Sequence, residues 1–453
     1  MIFEGKHIQS IYFLGLGGIG MSALARYFHL HGVDIAGYDR LATQLTYELA
    51  AEGMEIHSED NPDAIPSFTD MVIYTPAIPK NLNEFIRIRK MGIPVYKRAE
   101  VIGKISKDHF TIAIAGTHGK TTITSMIAHI LKKAGKSMFA FLGGISKNYE
   151  SNFITSGKQD IMVVEADEFD RSFLQLHPDI AVISSLDADH LDIYESREGM
   201  LESFSQFANQ VKPGGKVITK AGLENELPAV PGFINYTIDS WADFSLRDLT
   251  VYEGKYRFTI IGMGQQLKDI ILPVPGRHNV ENALAATAVC NFCKVSASDI
   301  LSGLNSYQGV KRRFDIRLDK PGKLFIDDYA HHPEELTAFI QSVKELYPGK
   351  RVTGVFQPHL YSRTQDFAEG FARSLDLLDE AILLDIYPAR EKPIQGVTSR
   401  LILDLMKNKN KNLVKKDKLI SVLEIKRPEL LLTMGAGDID QLVEPIESQM
   451  ETW

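Results

Sequence analysis

Phe110–Lys133 reads FTIAIAGTHGKTTITSMIAHILKK. Phe110–Ala115 is an apolar, β-branched run with the character of a strand. A turn follows, Gly116-Thr117-His118-Gly119-Lys120-Thr121-Thr122. Behind it, Ile123, Met126, Ile127, Ile130 and Leu131 recur at i, i+3, i+4, i+7 and i+8, which is one face of a helix. Gly135 stops that helix. Strand, glycine turn and helix start together form a phosphate cradle. The glycines let backbone N–H groups close on an anion, and the helix start adds unpaired N–H groups and the positive end of its dipole. Lys120 reaches the outer phosphates of a nucleoside triphosphate, and the Thr121 hydroxyl can ligate Mg²⁺. Position 114 is Ile, so the turn is a shortened G-x-x-G-K-T form of the P-loop.

The chain has 453 residues, enough for about three domains. Hydrophobic residues make up 44% and charged residues 24%, which places it among ordinary globular proteins. A net charge of −8 argues against nucleic acid as a partner. No apolar run reaches membrane-spanning length and the first twenty residues lack a signal-peptide pattern, so a cytoplasmic protein without a membrane partner is expected. The two cysteines, Cys290 and Cys293, are expected to be small residues on a helix, since no second pair completes a metal or redox motif.

Upstream of the cradle, the strand pattern Ile8–Leu14 runs into Gly15-Leu16-Gly17-Gly18-Ile19-Gly20 and a helix. A second strand ends in Asp39. This G-x-G-x-x-G with a following acid specifies a diphosphate at a helix start, in NAD or in another nucleotide. A further strand, Met71–Tyr74, leads into Thr75-Pro76-Ala77-Ile78-Pro79, an irregular loop at a strand's carboxyl end, where open α/β sheets bind ligands.

Downstream, Ile161–Ala166 delivers Glu165 and Asp167 beside the cradle strand. Glu165 is the expected second Mg²⁺ ligand, as against a merely solvated acidic loop. His190 lies in an acidic loop after the next strand and suits metal or phosphate contact. Tyr236–Leu272 changes to short alternating runs, an antiparallel β section. Asn279 and Asn282 open an Ala-rich helix, as caps or as contacts to a base. Lys311-Arg312-Arg313 is a basic hinge that can close on phosphates. Beyond it, four strands each end in a polar or Gly-rich loop. One rim of a parallel sheet therefore gathers Asp328, His331, His332, His359, Arg363 and Arg390. No H-x-x-x-H spacing among these histidines supports zinc.

The ordered stretches FLGLGGIGMSALA, AGTHGKTT, EADEFDRSFL, DADHLD, GRHNVENALAA, GVKRRFD, DDYAHHPEEL, FQPHLYSRT, YPAREKPIQGVTS and MGAGDI resemble the Mur ligases over nearly the whole chain. These are ATP-dependent, amide-forming enzymes of peptidoglycan synthesis. The resemblance implies an α/β protein of three domains. Residues 1–106 would be a Rossmann-like UDP-sugar domain, 107–312 a P-loop-type ATP domain carrying the antiparallel section, and 313–453 a Rossmann-like domain for the amino acid. The implied reaction joins L-alanine to UDP-N-acetylmuramate through an acyl phosphate, using ATP and Mg²⁺. The substrates are small molecules and the enzyme is a monomer or homodimer.

By the same resemblance, Gly15, Gly17, Gly18, Ile19, Gly20, Asp39, Thr75 and Ala77 would hold the UDP-sugar. Gly116, Thr117, His118, Gly119, Lys120, Thr121, Thr122, Asn279, Asn282, Arg313 and Asp328 would hold ATP. Thr121, Glu165 and His190 would hold metal. Tyr329, His331, His332, His359 and Arg363 would hold the amino acid. Lys120, His190, Arg313 and His332 would act in catalysis. The stretch departs from the family at Phe169 and Arg171, where small or polar residues are expected, and at Thr75–Ile78, TPAI for an expected SSAI. No carbamoylated lysine is expected. Two rivals stand beside this reading, a ligase adding a preformed tripeptide to the same UDP-sugar and a non-catalytic nucleotide-binding regulator. An NAD-dependent oxidoreductase leaves the ATP turn unexplained.

Overall fold

A computed structural model describes residues 1–187, 194, 196–227, 232–389 and 391–453. Contacts group them into two compact units. The first comprises Met1–Arg247, Thr259–Lys268 and Glu281–Tyr307; the second comprises Asp248–Phe258, Asp269–Val280 and Gln308–Trp453.

The first unit opens with β1 (Ser10–Leu14), α1 (Ile19–Leu30), β2 (Asp34–Tyr38), β3 (Glu55–His57), β4 (Met71–Tyr74), β5 (Val95–Lys97) and α2 (Arg98–Asp108). The strands form a five-stranded sheet in the order β3-β2-β1-β4-β5, with every pair parallel. The order reverses at β1, so the glycine turn after β1 and the Thr75 loop after β4 share the switch point where such sheets bind ligands.

The cradle strand is β6 (Phe110–Ala115), followed by α3 (Lys120–Lys133), β7 (Met138–Ser146), β8 (Ser151–Ser156), β9 (Ile161–Glu165), β10 (Ile180–Ile183), β11 (Lys216–Lys220) and β12 (Phe233–Thr237). Then come β13 (Phe244–Tyr252), β14 (Lys255–Gly262), β15 (Gln265–Leu272) and α4 (Arg277–Phe292). The sheet order is β8-β7-β9-β6-β10-β11-β12-β13-β14-β15. From β7 to β13 the neighbouring strands pair in parallel, and the β7–β8 ribbon at the edge runs antiparallel. The central strand β6 has neighbours on both sides, which explains its continuous apolar run.

The alternating runs of the β section appear as β13–β15. Their connections are two residues long, Glu253-Gly254 (φ 49° and 70°) and Met263-Gly264 (φ 46° and 77°). Positive φ at both positions is the backbone of the tight hairpin turn, so these strands fold back on one another.

Helix α1 is buried along Met21–Phe28. A helix buried all round, with Ser22 and Arg26 included, must be covered on more than one side. Here Ala23, Leu24 and Phe28 share one apolar cluster with Ile11 and Phe13 of β1 and with Phe139, Phe141 and Met162 of the second sheet. The Tyr27 ring stacks on Phe139 at 5.1 Å between centroids. The first and second sheets therefore share a core. Cys290 and Cys293 are free thiols near the end of α4. Burial pushes the Cys290 thiol far up and the Cys293 thiol up to about 11, which makes both unreactive packing residues, as expected.

The second unit contains β16 (Asp315–Lys320), β17 (Lys323–Asp328), α5 (Pro333–Leu346), β18 (Val352–Phe356), α6 (Tyr361–Asp366), β19 (Glu380–Leu383), β20 (Lys411–Leu413) and β21 (Leu430–Met434). The order is β16-β17-β21-β18-β19-β20, parallel except for the β16–β17 hairpin. Strands β17, β18, β19 and β21 lie side by side, so their carboxyl ends form the rim expected from the sequence. No described helix is long and apolar enough to cross a membrane.

Candidate active site

The cradle is built by close packing that only glycine permits. Gly116 has φ 130°, and a Cβ there would lie 2.9 Å from the Ser185 backbone nitrogen. Gly119 has φ 84°, and a Cβ there would lie 2.8 Å from Asn282 Oδ1. Asn282 thus lies against the turn. Asn279 instead donates its amide to the Pro275 carbonyl at 2.5 Å, within its own turn. Two serines that end β10 hold the turn from below. The Ser185 hydroxyl accepts from His118 N at 2.8 Å and meets Thr117 Oγ1 at 2.9 Å, while Ser184 Oγ donates to the His118 carbonyl. Neither serine stood out in the sequence; their only signal was position, immediately after a buried strand.

Lys120 Nζ donates to the Gly116 carbonyl at 2.6 Å and to Glu168 Oε1 at 2.7 Å. Burial alone would push the Lys120 ammonium down, but the charges of Glu168, Asp167 and Glu165 outweigh it and raise it above the ordinary lysine value. Glu168 is 2% exposed, and its second oxygen has no hydrogen-bond partner among the described residues. The sequence reading passed over Glu168 as part of an acidic run, because strand geometry pointed to Glu165.

Glu165 does sit at the turn. The Thr121 hydroxyl donates to its Oε2 at 3.1 Å, and Gly143 N donates to Oε1 at 2.5 Å. A Cβ on Gly143 would overlap this carboxylate, so glycine at 143 is what lets β7 approach it. A hydroxyl and a carboxylate 3.1 Å apart are hard oxygen donors, a set that fits Mg²⁺. His190, the expected ligand of a second Mg²⁺, and Arg390 lie outside the described residues. Phe169 is 47% exposed, and the Arg171 guanidinium lies 5.6 Å from the Tyr194 ring centroid.

The first glycine turn is equally tight. Gly17 N donates to Asp39 Oδ2 at 2.8 Å, so the acid at the end of β2 braces the turn itself. Gly15 has φ 89°, and a Cβ there would meet Thr75 Cγ2 at 2.6 Å, which brings the Thr75–Ala77 loop onto the turn. Gly18 is the N-cap of α1 and supplies no side-chain cap, so the first N–H groups of the helix face outward unpaired by a cap. A Cβ on Gly20 would lie 2.8 Å from Nη1 of Arg98, the first residue of α2. Arg98 in turn pairs with Asp167 at 3.7 Å.

In the second unit the two hinge arginines part ways. Arg312 Nε donates to Asp327 Oδ2 at 3.1 Å and Arg312 Nη2 to the Gly435 carbonyl at 2.5 Å. Among the described residues Arg313 makes no such pair, and its guanidinium lies over the Tyr329 ring, 4.8 Å from the centroid. Asp328 accepts from Phe314 N and Ala330 N, both at 2.7 Å. Burial raises its carboxyl to about 7 against the opposing charge of Arg313.

His332 caps α5, and Glu335 Oε2 accepts from the backbone of His331 and His332 at 3.0 and 3.3 Å. His331 and His359 face each other with ring centroids 6.2 Å apart. Burial lowers both to about 4, with the Arg363 charge adding to it, so both rings are neutral at pH 7. Tyr361 N and Ser362 N donate to Glu391 Oε2, which fixes the start of the helix that carries Arg363. The rim thus brings Asp328, Tyr329, His331, His332, His359 and Arg363 to one end of one sheet.

Comparison with known proteins matches this chain to three family models in chain order. They are the Mur ligase family catalytic domain over residues 10–110, the Mur ligase middle domain over 114–290, and the Mur ligase glutamate ligase domain over 312–437. The UDP-N-acetylmuramate–L-alanine ligase of Porphyromonas gingivalis is 47% identical, across 98% of this chain and 100% of its own. The enzyme of the same name from Parabacteroides distasonis is 47% identical across 97% of each. Among solved structures, the UDP-N-acetylmuramate–alanine ligase MurC of Thermotoga maritima superposes with a TM-score of 0.84 at 29% identity, covering 98% of this chain and 100% of that one. A murein peptide ligase from Psychrobacter arcticus shares the fold, with a TM-score of 0.71 at 20% identity over 98% and 99%. Three matched domains in order and full-length likeness to named ligases show that this three-domain α/β chain belongs to the Mur ligase family.

Proposed function

We propose that this Mur ligase joins L-alanine to the carboxylate of UDP-N-acetylmuramate at the expense of ATP, in the cytoplasm, as a step in making peptidoglycan precursor. The observation that carries it is the Lys120 ammonium, held on the turn carbonyl of Gly116 and on buried Glu168 beside a glycine turn with no room for side chains. The full-length likeness to alanine ligases selects the substrates. The domain limits follow the sequence reading, at 1–106, 107–312 and 313–453.

A carboxylate is a poor acyl donor, so the sugar carboxylate oxygen first takes the γ-phosphoryl group and ADP leaves. The alanine amine then attacks the acyl carbon, loses a proton and expels phosphate. Lys120 and the N–H groups of Gly116–Thr122 neutralise charge on the transferring phosphoryl group. Thr121 and Glu165 would hold one Mg²⁺ and His190 a second, ions that would shield the phosphate charge from the approaching carboxylate. Gly15, Gly17, Gly18, Ile19 and Gly20 take the UDP diphosphate, flanked by Asp39, Thr75 and Ala77. Asn279, Asn282 and Asp328 serve the nucleoside of ATP, and Arg313 its phosphates. Tyr329, His331, His332, His359 and Arg363 receive alanine. His331 and His359, being neutral, accept hydrogen bonds from its amino group, and His332 takes the proton.

Two measurements test this reading. ATP-dependent phosphate release with UDP-N-acetylmuramate is expected to require L-alanine. Release with the tripeptide alone would assign the recycling reaction, and silence with both would leave a nucleotide-binding regulator. Separately, Arg363→Ala is expected to raise the alanine KM by about 100-fold, because a guanidinium–carboxylate pair is among the stronger polar contacts. The ATP KM is expected to stay within about twofold, since no step assigned here brings Arg363 to ATP. A larger rise for ATP than for alanine would move the amino-acid site elsewhere.

A further inference from the structure

We propose that Asn152, on the edge strand of the second sheet, is a positioning residue for the diphosphate of the UDP-sugar. The inference rests on the assignment of the first glycine turn to that ligand. Asn152 is fully buried. Ser151 pairs with Ser146 across the ribbon, but the next paired residue, Phe153, faces Phe141, so the register breaks at Asn152. From Ser146 to Phe141 the ribbon's β7 takes the longer step, so the extra residues of the irregularity belong to β7 and Asn152 lies opposite them, outside the paired register. Its side chain points at the first turn of α1.

Its amide is used at both ends. Nδ2 donates to the Ile19 carbonyl at 2.6 Å and to Ser22 Oγ at 2.8 Å. Oδ1 accepts from Arg26 Nη1. The partners fix the orientation of the amide, since a carbonyl only accepts and a guanidinium only donates. Arg26 is held in turn by Glu52, with Nε and Nη2 both donating to its carboxylate.

The Ile19 carbonyl matters because of what lies across its peptide bond. The Ile19–Gly20 peptide is planar and trans, so its C=O and the N–H of Gly20 point in opposite directions. Gripping the carbonyl aims the N–H. That N–H belongs to the first turn of α1, where Gly18 offers no side-chain cap and the fingerprint places the diphosphate. Glycine at position 20 leaves this peptide soft, and Asn152 supplies from outside the stiffness that a side chain would otherwise lend. A residue 133 positions away thus sets the direction of a phosphate-binding donor.

Asn152→Asp tests the proposal. It keeps the shape and the Arg26 contact but sets an acceptor against the Ile19 carbonyl. Binding of UDP and of uridine is read by displacement of UDP-N-acetylmuramate. UDP affinity is expected to fall by about 10-fold, the scale of one misdirected hydrogen bond to a charged group. Uridine affinity and the ATP KM are expected to stay within about twofold, because neither involves the aimed N–H. Asn152→Ser, which loses the same contact without adding charge, is expected to show the same selectivity for UDP over uridine. As a control, Glu52→Gln loosens Arg26 and is expected to lower the melting temperature without changing UDP affinity. Equal loss of UDP and uridine, or UDP affinity unchanged in both Asn152 variants, would overturn the positioning role. Failure of the unmodified enzyme to bind UDP-N-acetylmuramate would instead remove the assignment on which the proposal rests, and the proposal with it.

Discussion

Lys120→Met lowers ATP-dependent phosphate release by about a thousandfold or more, while binding of UDP-N-acetylmuramate stays within about twofold. The size follows from removing a preorganised cation from a transferring phosphoryl group, where single donors are worth about a hundred- to a thousandfold. The selectivity follows from the fold, because the UDP-sugar turn lies after β1 and the Lys120 turn after β6, in different sheets. Stability complicates the measurement in a way the structure anticipates. Lys120 neutralises Glu168, which is 2% exposed, and breaking a buried pair from one side costs about 3–5 kcal/mol. The companion Glu168→Gln, combined with Lys120→Met, removes both charges. It is expected to recover melting temperature and no activity. Recovery of both would mean that Lys120 serves the fold and not the phosphate. Equal loss of phosphate release and UDP-sugar binding in Lys120→Met would sink the division of labour between the two turns.

What could be read in the sequence was whatever is local. The cradle turn was legible because glycines, lysine and a helical apolar face stand within twenty-four consecutive residues. The parallel sheets were legible because buried strands make continuous apolar runs, and the rim of the last domain because each strand there is followed by polar residues. The hairpins of β13–β15 announced themselves as alternation broken by Glu-Gly and Met-Gly.

The contacts that escaped reading join distant positions. Ser185 lies 67 residues from His118, and Asn152 lies 126 from Arg26. No window contains both ends of such pairs. Nothing near Arg98 in sequence points to a phosphate; it comes to Gly20 only when α2 packs beside α1. Glu165 stood ahead of Asp167 on strand position, and Glu168 was passed over in the same acidic run. In the fold Glu165 meets Thr121 and Glu168 meets Lys120. The shared core of the first two sheets was hidden for a similar reason. Met21–Phe28 is buried throughout, Ser22 and Arg26 included, and no local pattern says what covers it.

Arg312 and Arg313 carry the sharpest contrast between neighbours, and two substitutions should separate them. Arg312→Met is expected to destabilise the second unit by about 3–5 kcal/mol, because it strands the fully buried carboxylate of Asp327. Thr433 Oγ1 still donates to that carboxylate at 2.6 Å, but a single hydroxyl cannot replace a cation. Burial already raises the Asp327 carboxyl above its ordinary value, and Arg312 is the first influence pulling it back. Without Arg312 it rises further, so the folded variant prefers to hold a proton there. Stability of Arg312→Met is then lost as pH rises through the carboxylate range, and the deficit against the parent protein is smallest in acid. Arg313→Ala should do the reverse. Its guanidinium rests on the Tyr329 ring, and the buried Asp328 carboxyl that its charge opposes keeps its backbone donors Phe314 N and Ala330 N and can take up a proton when Arg313 is gone. The melting temperature should shift little, while kcat for phosphate release falls by about a hundredfold, the scale for an arginine that neutralises phosphoryl charge. Thermal melts across pH, set beside steady-state kinetics of both variants, give the answer. Backbone geometry explains why neighbours differ so much. Arg312 and Phe314 both take positive φ, at 64° and 45°, and this turns Arg312 inward and leaves Arg313 against Tyr329. Such strain is stable only where contacts over-determine it, and the Asp328 carboxylate on Phe314 N and the Arg312 carbonyl on Tyr329 N supply them. If Arg313→Ala unfolds the protein and Arg312→Met leaves it stable but inactive, the roles are exchanged and the phosphate-facing residue is Arg312.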